Sequence, residues 1–232
     1  EGGVACWGWN DTGQLGNGSS SDQLVPATVY GIHTAQALAT GGSHTCAIVD
    51  GGAAKCWGWN LYGQLGDATA LNRPLPADVY GLAGGVQAIT AGSSHTCALL
   101  EGGFVNCWGE NSIGQLGDGT SSTRYKPVDI AGLDGDAQQL AAGSSHTCAA
   151  LADGSVECWG WNTFGQIGDG TVSFRYQPVH VDGLDGVAVL SGGYAHTCAL
   201  RTDSSVRCWG WNIYGQDGDG TTNEYLAPVD AI

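Results

Sequence analysis

The chain has 232 residues, and its 22 acidic against 7 basic residues give a net charge of −15 at pH 7. No stretch offers the positive track that a nucleic-acid backbone requires, so the charge excludes nucleic acid as a partner. A hydrophobic content of 42% supports a sizeable core, 40 glycines indicate many tight turns, and the short apolar runs predict no membrane insertion.

The triplet Cys-Trp-Gly recurs along the chain at intervals of 50 or 51 residues. Each copy precedes a turn such as GQLGDGT, then in most repeats a Pro-Val step as at Pro127, and then Gly-x-x-His-Thr-Cys-Ala. Self-similarity at one period identifies a repeat protein. The sequence predicts one repeat domain over residues 1–232, either whole or part of a longer array, with repeats at 6–55, 56–106, 107–157 and 158–207 and a half-repeat at 208–232.

Within each repeat, short segments rich in Val, Thr, Trp and Tyr alternate with glycine, which is typical of β-strands joined by turns. The segment AQALATGG, residues 35–42, is closest to a helical pattern, but its glycines end it within two turns. Four short strands in a repeat of this length are typical of a propeller blade. The predicted fold is therefore all-β, a β-propeller of four-stranded blades with about four and a half repeats present.

The phrase HTCAIVDGGAAKCWG, residues 44–58, places Cys46 and Cys56 at equal distances from a turn centred on Gly51. Residues equidistant from a hairpin turn face each other on adjacent antiparallel strands, within reach of a disulfide. A metal site is disfavoured because zinc knuckles space their cysteines about two to four residues apart. The recurring spacing predicts disulfides rather than metal ligands: Cys46–Cys56, Cys97–Cys107, Cys148–Cys158 and Cys198–Cys208.

The cysteines also indicate a compartment. Disulfides persist where the environment is oxidising, so the sequence predicts a secreted, extracellular or cell-surface protein. Cys6 has no His-Thr-Cys partner in the sequence, which leaves it unpaired or available for an intermolecular bond. The chain begins and stops inside repeats, so we expect either a piece of a longer propeller or open blade edges covered by other copies, and no persistent closed monomer.

The motifs GSSHTCAL and CWGWNxxGQLGDGT together resemble the regulator-of-chromosome-condensation repeat family, from Cys6 to Val229. The resemblance implies a seven-bladed propeller when complete. Members include nuclear exchange factors for a small GTPase and secreted bacterial proteins, one group of which inhibits β-lactamases. The exchange factors carry an inserted hairpin, for which the constant period leaves no room, so guanine-nucleotide exchange is disfavoured. This chain departs from the repeat pattern at Ala68, Glu110 and Asp217.

Histidines and aspartates at fixed positions of the repeats are predicted to have structural roles. No acid or nucleophile recurs beside the histidines, so we expect them to hydrogen-bond blade backbone, and Thr45 and its equivalents to satisfy strand-end amides. One aspartate per turn is too few to bind calcium and favours an Asx-type turn. The last turn has two, Asp217 and Asp219, and is the better calcium candidate. The histidines are His44, His95, His146 and His196; the turn aspartates are Asp67, Asp118, Asp169 and Asp219.

Tryptophans occupy two positions of the repeat. Those of Cys-Trp-Gly are expected to fill the space between blades. The second set, at the strand-to-turn boundaries, is the predicted contact surface: Trp9, Trp59, Trp161 and Trp211. No catalytic arrangement, cofactor motif or metal site recurs. The predicted function is a non-enzymatic extracellular scaffold for protein binding or self-association. The alternatives are a subunit of a fibre or ring, a carbohydrate-binding propeller and an inhibitor of a secreted enzyme.

Peptide mapping without reduction tests the predicted pairing. Each His-Thr-Cys cysteine is expected in one linked peptide with the Cys-Trp-Gly cysteine that follows it, because the two face each other across a hairpin. Recovery of a linkage between different hairpins would show that the predicted register is wrong.

Overall fold

The computed structural model describes residues 2–232, and within that range eighteen strands form five sheets. Single turns of 3₁₀ helix at Asp50–Gly52 and Glu101–Gly103 are its helical elements. The chain divides into two compact units. The first runs from the amino terminus to Glu101 and includes Asn106–Glu110 and Ser122–Val128; the second comprises Gly102–Val105, Asn111–Ser121 and Asp129–Ile232.

The first unit contains a two-stranded sheet, a complete four-stranded sheet and nearly all of another. The two-stranded sheet consists of β1 (Ala5–Gly8) and β2 (Gln23–Thr28). In the four-stranded sheets the strands pair in chain order. They are β3 (Ala37–Thr40), β4 (His44–Val49), β5 (Ala53–Gly58) and β6 (Arg73–Asp78), followed by β7 (Val86–Ala91), β8 (His95–Leu100), β9 (Val105–Gly109) and β10 (Arg124–Asp129).

The second unit contains two further four-stranded sheets of the same strand order. Their strands are β11 (Ala137–Ala142), β12 (His146–Leu151), β13 (Val156–Gly160) and β14 (Arg175–His180), then β15 (Val187–Gly192), β16 (His196–Arg201), β17 (Val206–Gly210) and β18 (Tyr225–Asp230). Each four-stranded sheet combines the end of one sequence repeat with the start of the next, since the His-Thr-Cys strand precedes the Cys-Trp-Gly strand.

Strand position within a sheet follows residue type. The second strand lies between two others and is buried along its whole length in β4, whose sequence HTCAIV has small or apolar residues on both faces. Prolines occur in the fourth strand, for example Pro74 and Pro76 of β6. Proline cannot donate a ladder hydrogen bond, so it is confined to sheet edges, and the fourth strand is an edge.

The hairpin register places the cysteines opposite each other. Cys46 faces Cys56, and Cys148 faces Cys158. In residues 2–232 the sulfur atoms of all four predicted pairs are bonded, with Cα–Cα distances of 4.1 Å, and Cys6 is a free thiol. The cross-link joins the second and third strands at the centre of each complete sheet.

Successive repeats are joined through one backbone carbonyl in each turn. In the second unit, Thr147 Oγ1 and Trp159 Nε1 both donate to the carbonyl of Gln115, at 3.1 Å each. Thr197 and Trp209 donate in the same way to Gln166, at 2.9 and 3.0 Å. In the first unit, Thr96 and Trp108 donate in the same way to Gln64. Among residues 2–232, only Thr45 donates to the Gln14 carbonyl, and the indole of the buried Trp57 has no hydrogen-bond partner.

The expectation that the histidines bond blade backbone is wrong for His44 and His146. His146 Nε2 lies 2.9 Å from Thr197 Oγ1, and His44 Nε2 lies 2.9 Å from Thr96 Oγ1. Each threonine gives its single hydroxyl hydrogen to a glutamine carbonyl, so the histidine Nε2 is the donor. Thr45 likewise donates to a carbonyl, that of Gln14, whereas the sequence predicts that it accepts from a strand-end amide.

These histidines are neutral at physiological pH. Burial lowers the pKa of His44 to about 4, and burial together with the nearby His196 lowers the pKa of His146 to about 3. The neutral form matches the hydrogen bond, because only Nε2 needs to carry a proton.

The core of each unit lies between successive sheets. In the second unit, Trp209 packs with Ile167, Val181 and Leu190 of the core. The indole approaches the turn so closely that a Cβ on Gly168 would lie 2.6 Å from Trp209 Nε1. Trp57, Trp108, Trp159 and Trp209 are fully buried, whereas Trp7 is 61% exposed. The first tryptophan of the repeat therefore wedges against the preceding turn wherever that turn is present.

Replacing Trp159 by phenylalanine tests the connection between repeats. Trp159→Phe removes the indole donor to Gln115 and part of a buried side chain, so we expect a loss of about 1–3 kcal/mol in the free energy of unfolding. Trp161→Phe is the matched control, because Trp161 is only partly buried and its indole donates within its own turn, to Thr163, and its effect should stay within about 0.5 kcal/mol. Equal urea midpoints for the two variants would contradict this account.

Candidate binding surface

A buried asparagine shapes each turn that follows Cys-Trp-Gly. Asn162 Oδ1 accepts a hydrogen bond from the amide of Ile167 at 3.0 Å, and its Nδ2 donates to the carbonyls of Thr171 and Ser173. Its side chain is fully buried. One side chain thus fixes both limbs of the loop, and a surface carried by this loop is rigid.

The turn aspartates have the predicted structural role. Asp169 Oδ1 accepts from the backbone amide and hydroxyl of Thr171, which is an Asx turn, and Oδ2 accepts from Arg175 Nε at 2.6 Å. Burial raises the pKa of Asp169, but these hydrogen bonds outweigh it and hold that pKa below its usual range. Residues 2–232 contain no group of three or more His, Cys, Asp or Glu side chains placed to hold a metal ion. The turn that carries Asp217 and Asp219 is no exception.

The second tryptophan packs against an aromatic residue three positions later. Ring centroids are 5.4 Å apart for Trp59 and Tyr62, and the planes meet edge to face. Trp161 with Phe164, and Trp211 with Tyr214, repeat this pairing at 5.4 and 5.5 Å. The amide of the later residue donates to the turn glutamine, as from Phe164 to Gln166 Oε1 at 3.0 Å, which fixes the backbone beneath the ring.

In the second unit, Tyr194 links two of these pairs into one aromatic cluster. Its ring centroid lies 5.9 Å from that of Trp161 and 6.2 Å from that of Trp211, and Phe164 lies 5.9 Å from Trp211. Tyr194 is 63% exposed and Tyr214 is 79% exposed. The aromatic cluster therefore comprises five rings that contact one another at the protein surface: Trp161, Phe164, Tyr194, Trp211 and Tyr214.

Two of the four predicted contact tryptophans, Trp161 and Trp211, lie in the aromatic cluster. Trp59 pairs with Tyr62 in the first unit, and Trp9, 54% exposed, lines a groove with Cys6. Sequence reasoning missed the cluster members Phe164, Tyr194 and Tyr214. Phe164 and Tyr214 could have been found, because an aromatic residue follows the tryptophan by three positions in the sequence. Tyr194 was not, because its position holds serine or glycine in the other repeats.

The fifth repeat carries a buried acid beside this surface. Asp217 occupies the turn position that holds Leu15, Leu65, Leu116 or Ile167 elsewhere, and it is fully buried. No donor among residues 2–232 reaches its carboxylate oxygens. Burial, and then repulsion from Asp219, raise the pKa of Asp217 to about 7.

Repeated antiparallel sheets of four strands, each tied to the next through a turn, define the class of protein as a β-propeller scaffold. The chain belongs to the RCC1-like domain family, which matches residues 1–231. This confirms the family and the fold that the repeated motifs predict. No helix within residues 2–232 is long and apolar enough to cross a membrane.

The curated relatives are longer than this chain. The ultraviolet-B receptor UVR8 of Arabidopsis thaliana is 33% identical over 185 residues, which is 78% of this chain and 42% of the relative. The human E3 ubiquitin-protein ligase HERC2 is 32% identical over 194 residues, which is 81% of this chain and 4% of the relative. The chain thus spans less than half the length of either.

Solved structures share the fold. Human WBSCR16 superposes on the whole chain with a TM-score of 0.89 and 23% identity, and the chain covers 63% of it. Saccharomyces cerevisiae Prp20p gives a TM-score of 0.85 with 24% identity over 99% of this chain and 59% of its own. At these identities the similarity establishes fold alone.

Asp217→Leu tests the buried acid. The pKa of Asp217 in the folded chain lies above its unfolded value, so the folded state binds a proton between pH 4 and pH 7 that the unfolded chain releases, and the acid destabilises the fold progressively over that range. Asp217→Leu should therefore stabilise the chain more at pH 8 than at pH 4, measured as the urea midpoint.

Asp182→Leu is the matched control, because Asp182 is exposed. Its midpoint difference from the wild type should be small at both pH values, because substitutions of exposed side chains change stability little. A pH-independent effect of Asp217→Leu would show that Asp217 titrates normally.

Proposed function

We propose that this chain is a non-enzymatic, extracellular propeller scaffold that binds a protein partner through the aromatic cluster of its second unit. The observation that carries the proposal is the contact of five aromatic rings, two of them more than 60% exposed, four of which lie on loops fixed by buried asparagines. Exposed aromatic side chains bury a large area at little conformational cost and are enriched at the energetic centres of protein interfaces.

The negative charge of the second unit indicates which side chains a partner contributes. The second unit holds fourteen acidic residues, three arginines and no lysine. Each of the three arginines is paired with aspartate: Arg175 with Asp169, Arg201 with Asp185 and Asp203, and Arg207 with Asp230. An acidic unit whose own cations are engaged attracts cations from a partner.

Aromatic faces bind such cations directly. A cation over a ring contributes about 0.5–2 kcal/mol, and the ring quadrupole favours arginine or lysine over neutral side chains. In the first unit the chain makes this contact itself, with Lys126 Nζ 4.0 Å from the centroid of Tyr80. We therefore propose that the partner places arginine or lysine side chains against the aromatic cluster.

Two further observations support the proposal. Four cysteine pairs at bonding distance within residues 2–232 favour an oxidising compartment, which is consistent with secretion. Among the structural relatives, yeast RCC1 (Prp20) forms a complex with Kap60, and Prp20p has binding properties toward Gsp1p and histones. Protein binding by the same fold is the class of activity that we propose here.

Binding of a short arginine-glycine peptide, compared with its citrulline analogue, tests the proposal by calorimetry. The arginine peptide should bind more tightly, and Tyr194→Ala or Trp211→Ala should weaken it about tenfold through loss of ring contacts. Trp59→Ala is the matched control, since Trp59 belongs to the pair in the first unit.

Equal binding by all variants would show that net charge alone attracts the peptide and would overturn the proposal. Trp211-dependent binding of a neutral oligosaccharide, with no preference for arginine over citrulline, would replace it with the carbohydrate-binding alternative.

A further inference from the structure

Four rings of the aromatic cluster contact one another in a closed array. Trp161 contacts Phe164 and Tyr194, with centroids 5.4 and 5.9 Å apart. Trp211 contacts the same two rings, at 5.9 and 6.2 Å. Since no side of this four-ring array is longer than 6.2 Å, its middle lies within about 6 Å of every centroid, the distance over which a ring attracts a cation.

The rings of the four-ring array meet at steep angles. Trp161 is nearly perpendicular to both of its neighbours, at 79° to Phe164 and 88° to Tyr194. Trp211 meets the same two rings at 39° and 57°. Faces set at different angles around one point allow a compact, rounded cation to contact several rings at once, as in the aromatic cages that bind quaternary ammonium groups. A planar guanidinium ion stacks best between parallel rings, and none of these four contacts is parallel.

Hydrogen bonds hold the four-ring array in place. The carbonyl of Tyr194 accepts from the amide of Ser144 at 3.2 Å. Trp161 Nε1 donates to Thr163 Oγ1 at 2.8 Å, within its own turn. The rings are therefore arranged before a ligand arrives, which reduces the entropy lost on binding.

The hydrogen-bond acceptors of the loops that carry the tryptophans are already engaged. Asp169 accepts from Thr171 and from Arg175. Gln166 Oε1 and Gln216 Oε1 each accept from a backbone amide. Lysine or arginine entering the four-ring array would exchange hydrogen bonds with water for contacts with ring carbon, which costs free energy. A trimethylammonium group has no N–H hydrogen and incurs no such cost.

We propose that the four-ring array binds the trimethylammonium group of a trimethylated lysine on the partner protein. This inference rests on the proposed function, because it names the cation that the aromatic cluster receives. Methylation leaves the charge of lysine intact. The fourteen acidic residues and three arginines of the second unit attract a cationic segment. They repel a phosphocholine headgroup, whose phosphate is negatively charged, so the charge favours a protein over a lipid as the source of the group.

Calorimetric titration of the 232-residue chain with short glycine-serine peptides that differ at one central position tests the site. The central residue is trimethyllysine, lysine, arginine or the neutral analogue of trimethyllysine in which carbon replaces the nitrogen. The trimethyllysine peptide should bind at least about tenfold more tightly than each of the others. The neutral analogue has the same shape, so its weaker binding measures the attraction of the rings for charge.

Three variants separate the four-ring array from the rest of the surface. Tyr194→Ala should abolish the preference for trimethyllysine, because one side of the array is lost. Tyr194→Phe should retain the preference, because the ring remains. Tyr62→Ala is the matched control in the first unit and should bind as the wild type does. Urea midpoints equal to that of the wild type show that the variants are folded, since Tyr194 is exposed.

The outcomes distinguish this inference from the proposed function. Equal affinity for trimethyllysine and its neutral analogue would overturn the inference. Tighter binding of the arginine peptide, weakened by Tyr194→Ala, would overturn the inference and leave the proposed function standing. Failure of every cationic peptide to bind would overturn both. Sedimentation of the chain with phosphatidylcholine vesicles, dependent on Tyr194, would overturn the choice of a protein as the source of the trimethylammonium group.

Discussion

The structure depends on a single backbone acceptor that each repeat offers to the next. The carbonyl of the turn glutamine receives a threonine hydroxyl from the following sheet, and at Gln64, Gln115 and Gln166 it also receives a tryptophan indole. A buried carbonyl without partners would cost about 1–3 kcal/mol, so at least one donor is required once the turn is covered. At Gln166 the geometry brings the indole against Gly168, where a side chain has no room. It also orients Thr197 to accept from His146. The repeated residues of the motif are thus connected parts of one contact.

The contacts that join the repeats are separate from the exposed surface of the protein. The residues that join repeats are buried, whereas some surface positions beside them differ between repeats. Tyr194 stands at the position that holds Gly42, Ser93 or Ser144 in the other repeats. The buried contacts between repeats tolerate tyrosine at this position because its side chain is exposed to solvent. A recognition surface can therefore be built on one part of the chain without altering the contacts that hold successive sheets together, which is how a rigid repeat scaffold acquires a specific partner.

Much of the fold could be predicted from the sequence, because it is set by local spacing. The equal distances of Cys46 and Cys56 from Gly51 determine the hairpin register, and the period determines the sheets. The partner of His44 could not be predicted, because Thr96 lies 52 residues away and spacing alone does not show which neighbour a side chain reaches. The tryptophans of the candidate surface could be proposed from their position. Their assembly around Tyr194 depends on the spatial arrangement of two loops, which no local pattern encodes. The departure of Asp217 from leucine was visible, but its burial was not.

Hydrogen exchange of the tryptophan indole protons, followed by NMR, tests most directly the claim that turn carbonyls join the repeats. Trp108, Trp159 and Trp209 donate to glutamine carbonyls and are fully buried, whereas Trp7 and Trp9 are 61% and 54% exposed. Exchange of the first three should require opening of the contact between sheets and should be slow, while Trp7 and Trp9 should exchange rapidly. If the indole protons of Trp159 and Trp209 exchanged as fast as that of Trp9, the carbonyl contact would not hold the repeats together.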